Sequence, residues 1–305
     1  MENERVPIID MQELSGLTEK IVKACEEWGC FRLLNHGVSL KLLSEMKTVC
    51  RSLLDLPLEI KKENSPPGHA GQIYRPPNEA NRYFEGLSIS DMTSPAAVDD
   101  FFTQVGVTPQ QREIILKYSQ ALHDLAKYLG GKIVEGLGLS GVDRFKDWPC
   151  QFQMNKYNYS PETVGSIGAI MHSDPGFLTV LQDDELVNGL EVVNKFTGDL
   201  VSVDPIPGTL VVNLGDVAKV WSNGRFYNVK HRVQCYQPNI RISIALFVLG
   251  ARDKKVEAPV ELEDSEHPRL YIPFDFEEYR KLRVSTKSPT GEALELFRAT
   301  NSVST

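Results

Sequence analysis

The change of texture at Trp148 constrains this chain more than any other feature. Before it, apolar residues recur mainly at helical spacing; from Trp148 to about Leu249 they fall into short runs separated by Gly, Pro, Asn and Asp. Seven such runs read as strands, at 150–159, 176–182, 190–194, 200–203, 209–213, 229–234 and 241–248. Short strands punctuated by turn residues predict a β-sandwich or barrel. The flanks are different. Helices are predicted over 17–28, ended by Gly29, over 40–54, over 98–105, and from Thr108-Pro109 to Leu137, where Thr suits the N-cap and Pro the first helical position. Residues 6–10 and 30–34 read as strands, the first at an edge because Pro7 lacks a ladder donor. Residues 61–86, with Pro66-Pro67-Gly68, Gly71 and Pro76-Pro77, read as an irregular loop that carries aromatics and arginines. The predicted organisation is a helical N-terminal region with short edge strands (1–147), a β-rich catalytic core (148–250) and a C-terminal helical flap (251–305), packed as one unit in an α+β chain.

At 305 residues the chain can bury a full core. A net charge of −8 disfavours nucleic acid and anionic membranes as partners, since both select basic surfaces. No apolar run reaches membrane-spanning length, and Met1-Glu-Asn-Glu-Arg5 lacks the basic-then-apolar layout of a signal peptide. Cys25, Cys30, Cys50, Cys150 and Cys235 are an odd, scattered set without a Cys-x-x-Cys pair, which predicts reduced thiols and a cytoplasmic setting.

The chemistry is expected between His172 and Ser243. Residues i and i+2 of a strand share a face, so His172 and Asp174 would present two metal ligands on one side, with Ser173 turned away. His231, distant in the chain and on another predicted strand, would supply the third. Two histidines and one carboxylate leave half of an octahedral Fe(II) open. Arg241 and Ser243 obey the same alternation, and a guanidinium buried inside a barrel is costly unless an anion pairs with it. Arg241 is therefore expected to bind a ligand carboxylate bidentately, capped by the Ser243 hydroxyl and within reach of Tyr157, the alternative being a salt bridge to a local Asp or Glu. His36 reads as a turn or packing residue. The Asn213–Asp216 and Trp221–Gly224 runs read as turns, with Asp216 a turn cap or an acceptor for a ligand histidine.

These separated motifs resemble the plant 2-oxoglutarate/Fe(II)-dependent dioxygenases over nearly the whole chain. The matching runs are Trp28-Gly-Cys-Phe31, Asn35-His-Gly-Val38, Asn155-x-Tyr157, His172-x-Asp174, Gly189-Leu-x-Val192, Asn213-x-Gly-Asp216, Ser222-Asn-Gly224, His231-Arg-Val233 and Arg241-x-Ser243. Asp147–Tyr159 and Asn228–Cys235 look most like the branch that oxidises the auxin indole-3-acetic acid. The chain departs from the family at Ser173, where Thr is usual, and at Asn158, where Pro is usual.

The resemblance implies a distorted double-stranded β-helix core (jelly-roll, cupin-like) flanked by helices. It implies Fe(II) on His172, Asp174 and His231, O2 and 2-oxoglutarate as co-substrates, and ascorbate as an in-vitro activator. The far carboxylate of 2-oxoglutarate would lie on Arg241 and Ser243, helped by Tyr157, with Asn155 in the same cofactor-binding set. Indole-3-acetic acid would become 2-oxindole-3-acetic acid, with succinate and CO2 as co-products. Tyr74, Tyr83, Phe84 and Phe247 are expected to form an aromatic slot, and Arg75, Arg82 or Arg225 to meet the substrate carboxylate. The rival expectations are a like dioxygenase acting on a gibberellin, phenylpropanoid or alkaloid, an oxidase of related fold that does not consume 2-oxoglutarate, and a non-catalytic binding jelly roll.

Overall fold

The structure, a computed structural model, describes residues 5–62, 72–140, 144–145 and 147–299. The Pro66–Gly68 run and Gly71 lie outside them. In chain order the elements are β1 (Ile8–Asp10), α1 (Leu17–Glu27), β2 (Cys30–Leu34), α2 (Leu40–Leu54), α3 (Leu58–Lys62), β3 (Tyr74–Arg75), β4 (Phe84–Ile89), α4 (Pro95–Val105) and α5 (Pro109–Gly136). They continue with β5 (Cys150–Tyr157), β6 (Ile167–His172), β7 (Leu178–Gln182), β8 (Leu190–Val193), β9 (Leu200–Ser202), β10 (Leu210–Leu214), α6 (Asp216–Trp221), β11 (His231–Gln234), β12 (Arg241–Val248) and α7 (Phe276–Ser285).

The strands form two sheets. The larger has the order β1-β2-β10-β7-β12-β5-β4-β3, and the smaller the order β6-β11-β8-β9. Pairing is antiparallel throughout except for β1 on β2. This is the jelly-roll core with helical flanks. The N-terminal segment supplies the strands at both edges of the large sheet, so residue 147 does not divide the sheet.

Period-two alternation in the central strands sets both the core and the site. In β12, Ile242, Ile244, Leu246 and Val248 join the main core under the helices, together with Phe152 and Met154 of β5. The intervening Arg241, Ser243, Ala245 and Phe247, with Gln153, Asn155 and Tyr157, line a cavity on the other face. α1, α2 and α5 contribute Ile21, Met46 and Leu122 to that main core. α5 starts where its sequence requires: the Thr108 side chain accepts from the Gln111 backbone, Gln111 reciprocates, and Pro109 occupies the first turn.

Three expectations change. β3 and the start of β4 fall inside the span expected to be an irregular loop, because Tyr74 and Arg75 pair with β4, and Phe84, Glu85 and Gly86 with β5. β6 was missing from the expected strands, and it ends at His172, so Asp174 lies two residues beyond it and strand alternation does not place that carboxylate. Of the two readings of Asn213, the strand at 209–213 holds and the turn does not: it sits buried within β10. At Asn158 the departure from the family's proline has a use. Its N–H donates to the Tyr83 carbonyl at 2.8 Å and its side chain to Glu85 at 3.1 Å, tying the exit of β5 to β4.

Candidate active site

The small sheet brings two of the expected ligands together directly. His231 pairs with His172 across β11 and β6, and their ring centroids lie 4.2 Å apart. Asp174 is delivered by the turn after β6, and its Oδ1 stands 3.9 Å from His172 Nε2 and 3.8 Å from His231 Nε2. The ligand atoms of all three lie within 4.8 Å of one another.

Local hydrogen bonds decide which atoms face inward. His172 Nδ1 lies 2.8 Å from the Ile170 carbonyl and His231 Nδ1 lies 3.2 Å from the Val229 carbonyl. A carbonyl can only accept, so each Nδ1 carries a proton and each Nε2 keeps its lone pair for the centre of the cluster. Asp174 Oδ2 is taken by the Thr179 hydroxyl at 2.5 Å, which leaves Oδ1 aimed at the histidines. Burial, then the neighbouring His231, holds His172 down at about 4, although a third of its side chain faces the cavity. The cluster therefore offers two inward imidazole nitrogens and one carboxylate oxygen, a donor set that fits a divalent metal.

The cavity around this cluster has a volume of about 760 Å³. Its inner part holds Arg241, 2% exposed, paired with Tyr157 across β12 and β5. The guanidinium lies 5.3 Å from the Tyr157 ring, and its Nε has no hydrogen-bond partner. Among the described residues no carboxylate lies within 4 Å of Arg241. Asn155 Nδ2 donates to the Ser243 hydroxyl at 3.3 Å, and Gln153 Nε2 to Asn155 Oδ1 at 2.7 Å, so a chain of side chains fixes Ser243 beside Arg241. Burial pushes the Tyr157 hydroxyl up, partly offset by Arg241 and Ser243, and keeps it a neutral donor. A buried cation with a spare donor beside two hydroxyls has the chemistry to receive a carboxylate.

The expected substrate residues separate into two groups. Phe84, Arg75 and Phe247 line the cavity. Arg75 is half-buried and has no carboxylate partner among the described residues; burial, then Arg280, holds it below the ordinary arginine range. Tyr74, one residue earlier in β3, points to the opposite face, where its buried hydroxyl donates to Glu85 at 3.0 Å and Lys61 covers its ring. Tyr83 packs on Tyr159 instead of lining the cavity. Arg82 is exposed and outside the lining. Arg225 lies away from the site, ion-paired with Glu26 of α1 at 2.7 Å. Tyr74, Tyr83, Arg82 and Arg225 are thus removed from the candidate substrate residues.

Sequence reasoning missed Gln153, Thr179, Asn213 and Arg283, all in the lining. Thr179 and Asn213 had a usable signal, a lone polar residue inside an apolar strand run. Arg283 had none, because it sits in the charged run of α7, which reads as a solvated face. Asp216 is neither a turn cap nor a direct partner of a ligand histidine: it is fully buried and accepts from Ser173, Asn228, Tyr279 and Arg283.

Comparison with known proteins agrees with this geometry. Residues 149–249 match the model of the 2OG-Fe(II) oxygenase superfamily, and residues 6–98 match that of the N-terminal region of non-haem dioxygenases in morphine synthesis. The 2-oxoglutarate-dependent dioxygenase DAO of rice (Oryza sativa) is 47% identical over 301 residues, covering 96% of this chain and 99% of the relative. The crystal structure of the rice dioxygenase for auxin oxidation superposes with a TM-score of 0.87 at 45% identity, over 97% of this chain and 100% of that one. The dioxygenase for auxin oxidation 1 of Arabidopsis thaliana, in binary complex with 2-oxoglutarate, gives 0.82 at 49% identity, over 87% of this chain and 100% of that one.

Proposed function

Since the chain belongs to the 2OG-Fe(II) oxygenase superfamily, we propose that it oxidises indole-3-acetic acid to 2-oxindole-3-acetic acid and so inactivates the auxin. The chain is a 2-oxoglutarate-dependent dioxygenase. Bound Fe(II) with 2-oxoglutarate and O2 supplies the oxidising chemistry: one oxygen atom ends in succinate, with loss of CO2, and the other in the substrate.

In this reading His172, Asp174 and His231 would hold the iron through their inward Nε2 and Oδ1 atoms. Arg241 and Ser243, with Tyr157 beside them and Asn155 steadying Ser243, would hold the far carboxylate of 2-oxoglutarate. Phe84 and Phe247 would flank the indole ring, and Arg75 would take the acetate group. The observation that carries the proposal is that, of the three arginines lining one cavity, Arg283 is paired with Asp216 while Arg241 and Arg75 have no carboxylate partner among the described residues. Two unpaired guanidinium groups flanking one metal-ligand cluster suit two acids bound at once, the keto acid and an acidic substrate.

Wider features support a small-molecule enzyme of the cytosol. No helix among the described residues is long and apolar enough to cross a membrane. All five cysteines are free and buried, and burial raises the Cys30 and Cys150 thiols to about 12, which makes them inert to thiol chemistry.

The test is an anaerobically reconstituted Fe(II) and 2-oxoglutarate reaction started with O2, with indole-3-acetic acid set against a gibberellin, a jasmonate and a phenylpropanoid acid. Succinate and 2-oxindole-3-acetic acid should appear in equal amounts. Succinate coupled to a different acid, with no oxindole, would replace the substrate assignment.

A further inference from the structure

One buried carboxylate outside the ligand set is connected to the backbone around all three ligands. Asp216, at the start of α6, is 0% exposed. Its Oδ1 accepts from the Ser173 hydroxyl at 2.8 Å and from Asn228 Nδ2 at 2.7 Å. Ser173 lies between His172 and Asp174. Asn228 precedes Val229, whose carbonyl fixes the His231 ring. The Asp216 N–H donates to the Asp174 carbonyl at 2.8 Å. Both chain segments that carry the cluster are thus anchored on one side chain.

The other carboxylate oxygen faces the C-terminal helix. Asp216 Oδ2 accepts from the Tyr279 hydroxyl at 2.6 Å and from the Arg283 guanidinium, both on α7. Arg283 also donates from Nη2 to the carbonyls of Ser173 and Pro289 at 2.8 Å each, and from Nη1 to the Ser173 hydroxyl at 3.2 Å. The Ser173 N–H completes the set on the Pro289 carbonyl at 2.9 Å. Every polar group of Ser173 is therefore held by α7, the turn after it, or Asp216. Arg283 lines the cavity and could be mistaken for a substrate anchor, but both its Nη atoms are committed to two acceptors.

We propose that the Asp216–Arg283 ion pair is a positioning device, through which the docked α7 sets the geometry of the His172–Asp174 turn and of His231 for metal binding. Neither residue touches a reacting atom. A buried pair of this kind cannot lose one member cheaply, because the other is left charged and desolvated, and it relaxes by moving what it holds. Here that is the turn carrying two ligands. Partners that orient metal ligands typically change metal affinity by about 10–100-fold when removed.

The inference rests on reading His172, Asp174 and His231 as the metal site, so the experiment contains a control for that reading. Mn(II) binding to the metal-free full chain, with 2-oxoglutarate present, is measured by calorimetry for the parent, His231→Ala, Arg283→Gln, Arg283→Lys and Tyr279→Phe, with steady-state kinetics at saturating Fe(II) alongside. His231→Ala should abolish binding; if it does not, the site reading fails and the inference with it. Arg283→Gln should weaken Mn(II) binding about 10–100-fold and lower kcat, with the KM for the acid substrate within about two-fold of the parent, and Arg283→Lys should recover part of the affinity. Unchanged Mn(II) affinity with a raised KM for the acid would overturn the inference and make Arg283 a substrate ligand. Should Arg283→Gln fail to fold, Tyr279→Phe decides: a drop in Mn(II) affinity of about two- to five-fold supports the pair's role, and parent-like affinity overturns it.

Discussion

The two ends of the cavity are built differently. At the end proposed for the co-substrate, Arg241, Ser243, Tyr157 and Asn155 stand on β5 and β12, strands paired over eight consecutive positions and buried at every position except Phe247. At the end proposed for the substrate, Arg75 stands on a two-residue strand at the sheet edge, facing loops and α7. The first end is held on every side by ladder bonds and core packing, as the shared step of the reaction demands. The second can change by altering a loop or a helix without disturbing the sheet. A rigid floor for the co-substrate beside an adjustable rim for the substrate would let one fold serve many substrates.

The contrast is breakable at Arg241 first. Arg241→Ala removes charge-assisted hydrogen bonds of about 1.5–3 kcal/mol in a buried site, so the KM for 2-oxoglutarate should rise about 10–150-fold. The KM for the acid substrate should change little. A comparable rise in both constants would mean that the two ends are not independent. Arg75→Ala comes next: at a half-buried position the loss should be about ten-fold in the KM for the acid, with kcat and the 2-oxoglutarate KM near the parent values. If Arg75→Ala leaves the acid's KM unchanged, the carboxylate anchor is elsewhere on the rim.

The same contrast explains what could be read in the sequence. The β-rich centre and the facing of Arg241, Ser243 and Tyr157 follow from alternation within single strands, which is local information. His172 and His231 were legible as a pair only through their residue types, since their contact depends on the pairing of β6 with β11. The placement of Asp174 was anticipated for an incomplete reason, because a turn and the Thr179 hydrogen bond orient it. Tyr74 and Arg75 show the limit most clearly. Composition marked both, but they are adjacent in a strand and must face opposite ways, and only the sheet decides which one meets the cavity. Arg225 could not be excluded from sequence, since Glu26, its partner, is 199 residues away.

The smallest expected effect on activity comes from behind the rim, at Glu85 of β4. Its carboxylate accepts from Lys61 at 2.7 Å, Tyr74 at 3.0 Å and Asn158 at 3.1 Å on the face opposite the cavity, bracing the strand pair that carries Arg75. Burial alone would raise its pKa, but the hydrogen bonds from Lys61 and Asn158, the Lys61 charge and the Tyr74 hydroxyl outweigh it, and the group sits below its ordinary value. A carboxyl whose folded pKa is lowered contributes stability at pH above its unfolded value of about 4.3, and loses it as pH falls through the lower folded value. Glu85→Gln should therefore destabilise the protein by on the order of 3 kcal/mol at neutral pH, because it strands the buried Lys61 ammonium. The gap in melting temperature between parent and variant should narrow as pH is lowered from about 7 to about 3. The KM for the acid should rise only about two-fold, since Arg75 is loosened and not removed. A gap that stays constant across that range would show that ionised Glu85 does not brace the rim, and that the substrate end owes its order to the helices alone.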